Sequence, residues 1–111
     1  MTNPVPRQFT PTRGWCGRLG FLAQRRGSPR HDAVTFDLRM EWVAVSVDGE
    51  VLAVLDRDCF RLWLSRPSTP FVTDSVAIAH AGGLLTVYDD AQVDWFVEVP
   101  GDIAEALRTH V

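Results

Sequence analysis

The sequence contains eleven arginines and no lysine, and it lacks any long apolar run. No segment approaches the roughly 20 apolar residues that a membrane-spanning helix needs, so we expect no membrane contact. The N-terminus has no apolar stretch of the kind found in secretory signals, and the Arg25-Arg26 pair is not followed by an apolar segment. These absences predict a cytoplasmic location, and the lack of lysine is typical of a GC-rich bacterial genome.

Cysteine is also scarce, which limits redox and metal chemistry. Cys16 and Cys59 form neither a C-x-x-C pair nor any other spacing typical of metal ligands. Because Cys59 stands among apolar residues, we expect it to be a small buried side chain, whereas Cys16 is expected to be exposed. The sequence does not decide whether the two form a disulfide.

Motifs that carry catalysis are missing as well. The chain has no D-x-D-x-D-G calcium loop, no G-x-x-x-x-G-K-[ST] phosphate loop and no G-x-S-x-G nucleophile elbow. His31, His80 and His110 show no convergence with carboxylates, and His80 is expected to be a semi-buried structural residue. The sequence therefore predicts no enzyme, no bound metal and no cofactor.

Charge divides the chain into two parts. Residues 1–31 contain six arginines and no acid, together with four of the seven prolines and four of the eight glycines. Such a composition cannot bury enough apolar surface to offset chain entropy, so it predicts a disordered arm. Residues 32–111 contain five arginines against fourteen acids, a net charge of −9, and are predicted to form a single acidic domain.

Three interpretations of the arm stay open. Its arginines could neutralise nucleic-acid phosphates with release of counterions, or the arm could fold back on the acidic domain. Alternatively, translation could begin at Met40, so that residues 1–39 would not belong to the native protein. Under the first interpretation the candidate phosphate contacts are Arg7, Arg13, Arg18, Arg25, Arg26 and Arg30.

Alternating apolar residues predict strands in the first half of the domain. One strand covers residues 33–39 and ends in a turn or bulge around 39–41. The next strand has three valines on one face and leads into Asp48-Gly49, a strong hairpin signal because glycine tolerates positive φ. In a regular hairpin Val45 would lie opposite Leu52, and the valine face would continue into the returning strand.

A short helix is predicted after this hairpin. Asp56 or Asp58 can cap it by accepting hydrogen bonds from its free N–H groups, and Pro67 stops it. Its apolar face holds Phe60, Trp63 and Leu64 at helical spacing. Because so short a helix is unstable alone, we expect its aromatic side chains to pack on the sheet.

The second half repeats the order of strands and helix. Val76 and Ile78 lie on the apolar face of an alternating strand, Gly82-Gly83 predicts a turn, and residues 93–99 alternate again. The final helix is expected to begin with an Asp102-Glu105 capping box. Its apolar stripe consists of Ile103, Leu107 and Val111.

Together these patterns predict an α+β fold. We expect one small, mainly antiparallel sheet of five to six strands, because a single hairpin is only marginally stable. The sheet would be built from two β-β-α units that join their strands, with two short helices laid over it. The disordered arm of residues 1–31 would lie outside the domain.

One face of this sheet could receive a partner. In the regular register, the face opposite the valines carries the candidate partner contacts Trp42, Val51, Ala53 and Leu55, unless a helix covers them. The sequence therefore favours a small non-enzymatic binding or regulatory module that acts through contacts with another protein or through self-association. The alternative is a nucleic-acid-associated protein that binds through the arm, since the acidic domain itself repels phosphates.

Overall fold

The computed structural model describes residues 14–24, 31–73, 75–81, 84–89 and 96–111. This part of the chain forms eight strands and two helices. In chain order they are β1 (Gly17–Gln24), β2 (His31–Leu38), β3 (Trp42–Val47), β4 (Glu50–Asp56), α1 (Arg57–Ser65), β5 (Phe71–Val72), β6 (Val76–Ala81), β7 (Leu84–Asp89), β8 (Phe96–Val99) and α2 (Gly101–His110).

The strands form two antiparallel sheets, ordered β1-β2-β3-β4 and β5-β6-β7-β8. The prediction of an α+β fold with a single sheet of five to six strands is therefore wrong: the described residues are mainly β. Two strands, β1 and β5, were absent from the prediction. With them, each half of the chain builds a four-stranded sheet of its own and then continues into one helix.

β1 lies within the segment that was predicted to be a disordered arm, so that prediction is wrong for residues 17–24. Leu19 and Phe21 alternate toward the core, where Phe21 lies opposite Val34 of β2. Gly20 stands between them, and the apolar but exposed Leu22 follows Phe21, so the alternation is hidden in the sequence. Residues 1–13 and 25–30 of the predicted arm lie outside the described residues.

The turn between β3 and β4 is the predicted Asp48-Gly49 turn. The φ angles of these residues are 52° and 87°, both in the left-handed region that a two-residue hairpin turn of this kind needs. The Asp48 N–H donates to the Ala33 oxygen, and the Asp48 carboxylate accepts from the Ala33 N–H, each at 2.8 Å. The turn expected around residues 39–41 is also confirmed, with the Arg39 N–H donating to the Trp42 oxygen.

A bulge in β4 changes which of its side chains face the core. The pairing shifts between Val45 and Ser46, so that Val45 lies opposite Ala53 instead of Leu52. Because side chains alternate along a strand, one extra residue moves every later side chain to the other face. As a result Ala53 and Leu55 belong to the core.

One core joins both sheets and both helices. α1 contributes Phe60 and Leu64, and α2 contributes Leu107 together with Val111. The Phe60 ring lies 5.6 Å from the Phe71 ring of β5, which confirms that the aromatic side of α1 packs on strands. The largest buried side chains of the sheets are Val34, Phe36, Leu38, Val43, Val45, Leu55, Val76, Ile78, Leu85 and Val87.

The two helices begin differently. Asp56 caps α1, one of the two predicted options, and its carboxylate accepts a hydrogen bond from the Cys59 N–H at 2.9 Å. α2 begins after Pro100, and no side chain caps it. The predicted Asp102-Glu105 capping box is therefore wrong. The helix starts two residues earlier than that box implies, and Asp102 lies in its first turn, where the helix dipole favours a negative charge.

Candidate functional site

The structure separates the four residues that were predicted to contact a partner. Trp42 and Val51 are 41% and 62% exposed, while Ala53 and Leu55 are buried, at 8% and 1%. The β4 bulge causes this division, because it turns Ala53 and Leu55 inward. The bulge also leaves Val54 on the surface, where it is 58% exposed, although the regular register had placed that residue on the core face.

Trp42, Val51 and Val54 together form an apolar surface that we call the β4 patch. Val51 lies opposite Ser46 and Val54 lies opposite Ala44, so β4 carries two members of the patch and β3 carries the third. Large apolar side chains that stay exposed on neighbouring strands are typical of surfaces that bind other proteins. Tryptophan in particular often contributes a large share of binding energy at such surfaces.

β4 is also an edge strand. It pairs with β3 on one side, and no other strand in the described part of the chain pairs with its second side. An unpaired strand edge offers N–H and C=O groups to a further strand, and natural sheets commonly protect such edges with charge. In β4 the charges are Glu50 at the first position and Asp56 at the last, and both are exposed.

Residues that flank the β4 patch in sequence carry exposed carboxylates. Glu41 precedes Trp42, and Asp58 follows the end of β4; both are exposed. Arg39 is the base that approaches the patch, with its guanidinium 5.9 Å from the centre of the Trp42 ring. Arg39 also lies 3.0 Å from the Asp37 carboxylate, so its charge is partly neutralised. The patch is therefore an apolar surface with a mainly acidic border.

The end of β4 also sets the chemistry of Cys59. Hydrogen bonds from the Cys59 backbone and side chain hold the pKa of the Asp56 carboxyl below its ordinary value. The hydrogen bond to Asp56, and then its negative charge, raise the pKa of the Cys59 thiol. The prediction that Cys59 is buried is wrong, since it is exposed on the first turn of α1. It is thus an accessible thiol whose pKa is raised by Asp56.

Arg57 is the most deeply buried charged side chain of the two helices, at 2% exposure. Its guanidinium donates to the main-chain oxygens of Arg39, of Trp15 at 2.6 Å and of His110 at 2.9 Å. Its Nη1 also lies 3.9 Å from the Cys16 sulfur. Because its strongest acceptors are main-chain oxygens of three separate segments, Arg57 stabilises the fold rather than forming a site.

Only one arginine from the predicted phosphate-binding set lies within the described residues. The Arg18 Nε is 3.8 Å from the Asp37 carboxylate, and the side chain extends from β1 into solvent. Its charge is therefore already partly balanced by an acid. The others lie outside the described residues; they are Arg7, Arg13, Arg25, Arg26 and Arg30.

The histidines do not assemble a site in the described part of the chain. His31 and His80 are exposed, so the prediction of a semi-buried His80 is wrong. The His110 ring packs beside Trp15, with ring centres 5.4 Å apart. Among the described residues, no group of three or more His, Cys, Asp or Glu side chains could hold a metal ion.

Comparison with known proteins gives no functional lead. No protein-family model, curated protein or solved structure matches the chain. Within the described ranges, neither helix is long and apolar enough to cross a membrane. Among the described residues, the β4 patch combines exposed apolar side chains with an unpaired strand edge.

Proposed function

We propose that this protein is a non-enzymatic protein-binding module whose β4 patch and β4 edge receive an extended segment of a partner. The observation that carries the proposal is the coincidence of the two features on one strand. Val51 and Val54 are exposed on the strand whose second side has no partner strand among the described residues. An added strand gains backbone hydrogen bonds from the edge and side-chain contacts from the patch.

The acidic border specifies the chemistry of the partner. In an antiparallel pairing of two β4 edges centred on Ala53, the Glu50 end of one copy would lie beside the Asp56 end of the other, so each end of the seam would bring two carboxylates close together. Like charges brought together at an interface repel each other and disfavour the pair. Self-association through this edge is therefore disfavoured. The expected partner segment has apolar side chains alternating with arginine or lysine, which complement the carboxylates of Glu50 and Asp56.

A displayed library of random linear peptides tests the proposal and does not require the partner to be identified first. We expect enriched peptides to alternate apolar and basic residues and to shift the amide resonances of β4 when they are titrated into labelled protein. V54R should abolish this binding, because it replaces an apolar contact by a charge that repels basic peptides. L62R is the matched control: Leu62 is also an exposed apolar residue, but it lies on α1.

Two outcomes would refute the proposal. One is the absence of enriched peptides that bind β4; the other is equal loss of binding in V54R and L62R. Trp42→Ala should also weaken binding while urea unfolding stays cooperative. If that variant fails to fold cooperatively, Trp42 is a core residue and does not belong to a binding surface.

Nothing in the described residues favours the nucleic-acid alternative over protein binding, and it stays a prediction about the remaining arginines. A cytoplasmic location is also proposed. It is supported by the two cysteines, which are both free thiols, as is usual in a reducing compartment.

A further inference from the structure

A cavity of about 280 Å³ opens between the C-terminal parts of the two helices. α1 contributes Arg61, Leu64 and Ser65 to its wall, and α2 contributes Arg108, followed by Val111. Two of these side chains are apolar and buried, and two are cationic. The size is close to the lower end of the range for small-molecule sites, about 300 to 1,000 Å³. The cavity therefore suits a small ligand with an apolar part and a negative charge.

The arginines of the acidic segment gather on the helices. Residues 32–111 contain five arginines, and four of them lie on the helices or at the C-cap of α1: Arg57, Arg61, Arg66 and Arg108. Four of the fourteen acids lie on the helices or at the N-cap of α1, namely Asp56, Asp58, Asp102 and Glu105, so the helices are balanced in charge within a segment of net charge −9. An anion that approaches the protein in this region would meet cations from two helices at once.

The two arginines of the wall keep donors for a ligand. Arg61 donates to the Val111 main-chain oxygen at 3.3 Å and to the Asp58 carboxylate, while Arg108 lies 3.5 Å from the Glu105 carboxylate. Both carboxylates are largely exposed, and ion pairs at exposed positions contribute little net stability. Because a guanidinium has five N–H donors, an incoming anion can bind without breaking the contact to Val111.

We propose that this cavity binds a small organic carboxylate with an apolar body. The carboxylate would accept hydrogen bonds from Arg108 and Arg61, whose planar guanidinium groups match its geometry. The apolar body would lie against Leu64 and Val111. The site is distinct from the β4 patch, and binding at one does not require binding at the other.

Benzoate is the probe that tests this chemistry, with benzamide as its neutral analogue of nearly the same shape. We expect benzoate, but not benzamide, to shift the amide resonances of Leu64, Ser65 and Arg108 in labelled protein. R108Q should weaken benzoate binding by about tenfold or more, because it removes a charge-assisted hydrogen bond. R66Q is the matched control: Arg66 is exposed at the end of α1 and does not line the cavity.

Each alternative result would overturn the proposal. If R108Q and R66Q weaken benzoate binding equally, the binding depends only on the overall charge of the protein. Equal shifts with benzamide would remove the role of the arginines, and tighter binding of inorganic phosphate would remove the role of the apolar wall. S65F, which places a ring at the cavity mouth, should also block benzoate. If it leaves affinity unchanged in a folded protein, the ligand binds elsewhere.

Discussion

Arg57 donates a hydrogen bond from its Nη2 to the main-chain oxygen of His110, 2.9 Å away, and so joins the first turn of α1 to the last turn of α2. The same guanidinium also reaches the oxygens of Trp15, before β1, and of Arg39, between β2 and β3. The cation lies where the dipole of α2 is negative, which favours its charge. This single side chain therefore links four segments that are distant in sequence.

Replacing Arg57 should cost more stability than its sequence position suggests. In R57M three main-chain oxygens lose a charged donor, so we expect the free energy of unfolding to fall by about 3 kcal/mol or more. Urea denaturation followed by tryptophan fluorescence measures the loss. R66M, at the exposed C-cap position at the other end of α1, should change stability by less than about 0.5 kcal/mol. Similar losses in both variants would show that the carbonyl contacts do not stabilise the fold.

Because of the β4 bulge, we expect substitutions at two neighbouring residues to reduce stability by different amounts. Leu55 is buried and Val54 is exposed, so L55A should lower the free energy of unfolding by about 2 to 5 kcal/mol. V54A should cost less than about 1 kcal/mol, because a side chain on the surface loses little burial. Urea unfolding of both variants decides the matter. The reverse order of losses would mean that β4 pairs in the regular register, without the bulge.

Much of the local structure could be read from the sequence where one residue type has a specific backbone role. Asp48-Gly49 forms the expected turn because glycine and aspartate tolerate positive φ, and Asp56 caps α1 because its carboxylate accepts from a free N–H. β1 could not be recognised, since Gly20 and the apolar but exposed Leu22 occupy its outer face and hide the alternation. Without β1 and β5, the remaining strands pointed to one sheet instead of two.

The candidate surface was only half predictable for a related reason. Residues 51–55 are all apolar, so hydrophobicity cannot tell which face of β4 is buried, and a shift of one residue leaves the pattern equally plausible. Trp42 and Val51 were identified, whereas Val54 was missed. The cavity between the helices was missed completely, because Arg61 and Arg108 are far apart in sequence and only the packing of α1 beside α2 brings them together.

Asp56 should control the reactivity of Cys59. Because Asp56 raises the pKa of the Cys59 thiol, D56N should lower that pKa and increase the rate of alkylation at neutral pH. Asparagine still caps a helix, so the fold should be preserved. The measurement is iodoacetamide labelling by mass spectrometry in a C16S background, where Cys59 is the remaining cysteine. An unchanged or slower rate would show that Asp56 does not act on the thiol.

The same carboxyl gives an expectation for acid stability. The pKa of Asp56 is lower in the folded protein than its ordinary value of 3.8. The stabilisation from its charged form is therefore complete above the unfolded pKa and is lost as the pH falls through the lower, folded pKa. In D56N this acid-dependent part should disappear, so stability should fall less steeply below about pH 4. Urea unfolding across that pH range compares the two proteins, and parallel curves would exclude the effect.

The acidic ends of β4 should determine whether the protein pairs with itself. In an antiparallel pairing centred on Ala53, the Glu50 end of each copy lies beside the Asp56 end of the other, and the repulsion between these carboxylates protects the edge. E50K converts both repulsive contacts into attractive ones, so we expect it to promote dimers that the wild-type chain does not form through this edge.

Sedimentation velocity over a range of protein concentrations measures the effect. E50Q is the matched control: it removes the charge of Glu50 without reversing it, leaves the Asp56 cap of α1 intact and should promote dimers less than E50K. If E50K does not increase association, the second side of β4 is not accessible to another strand. That result would remove the structural basis of the proposed binding mode, because a partner segment needs the same backbone groups as a second copy.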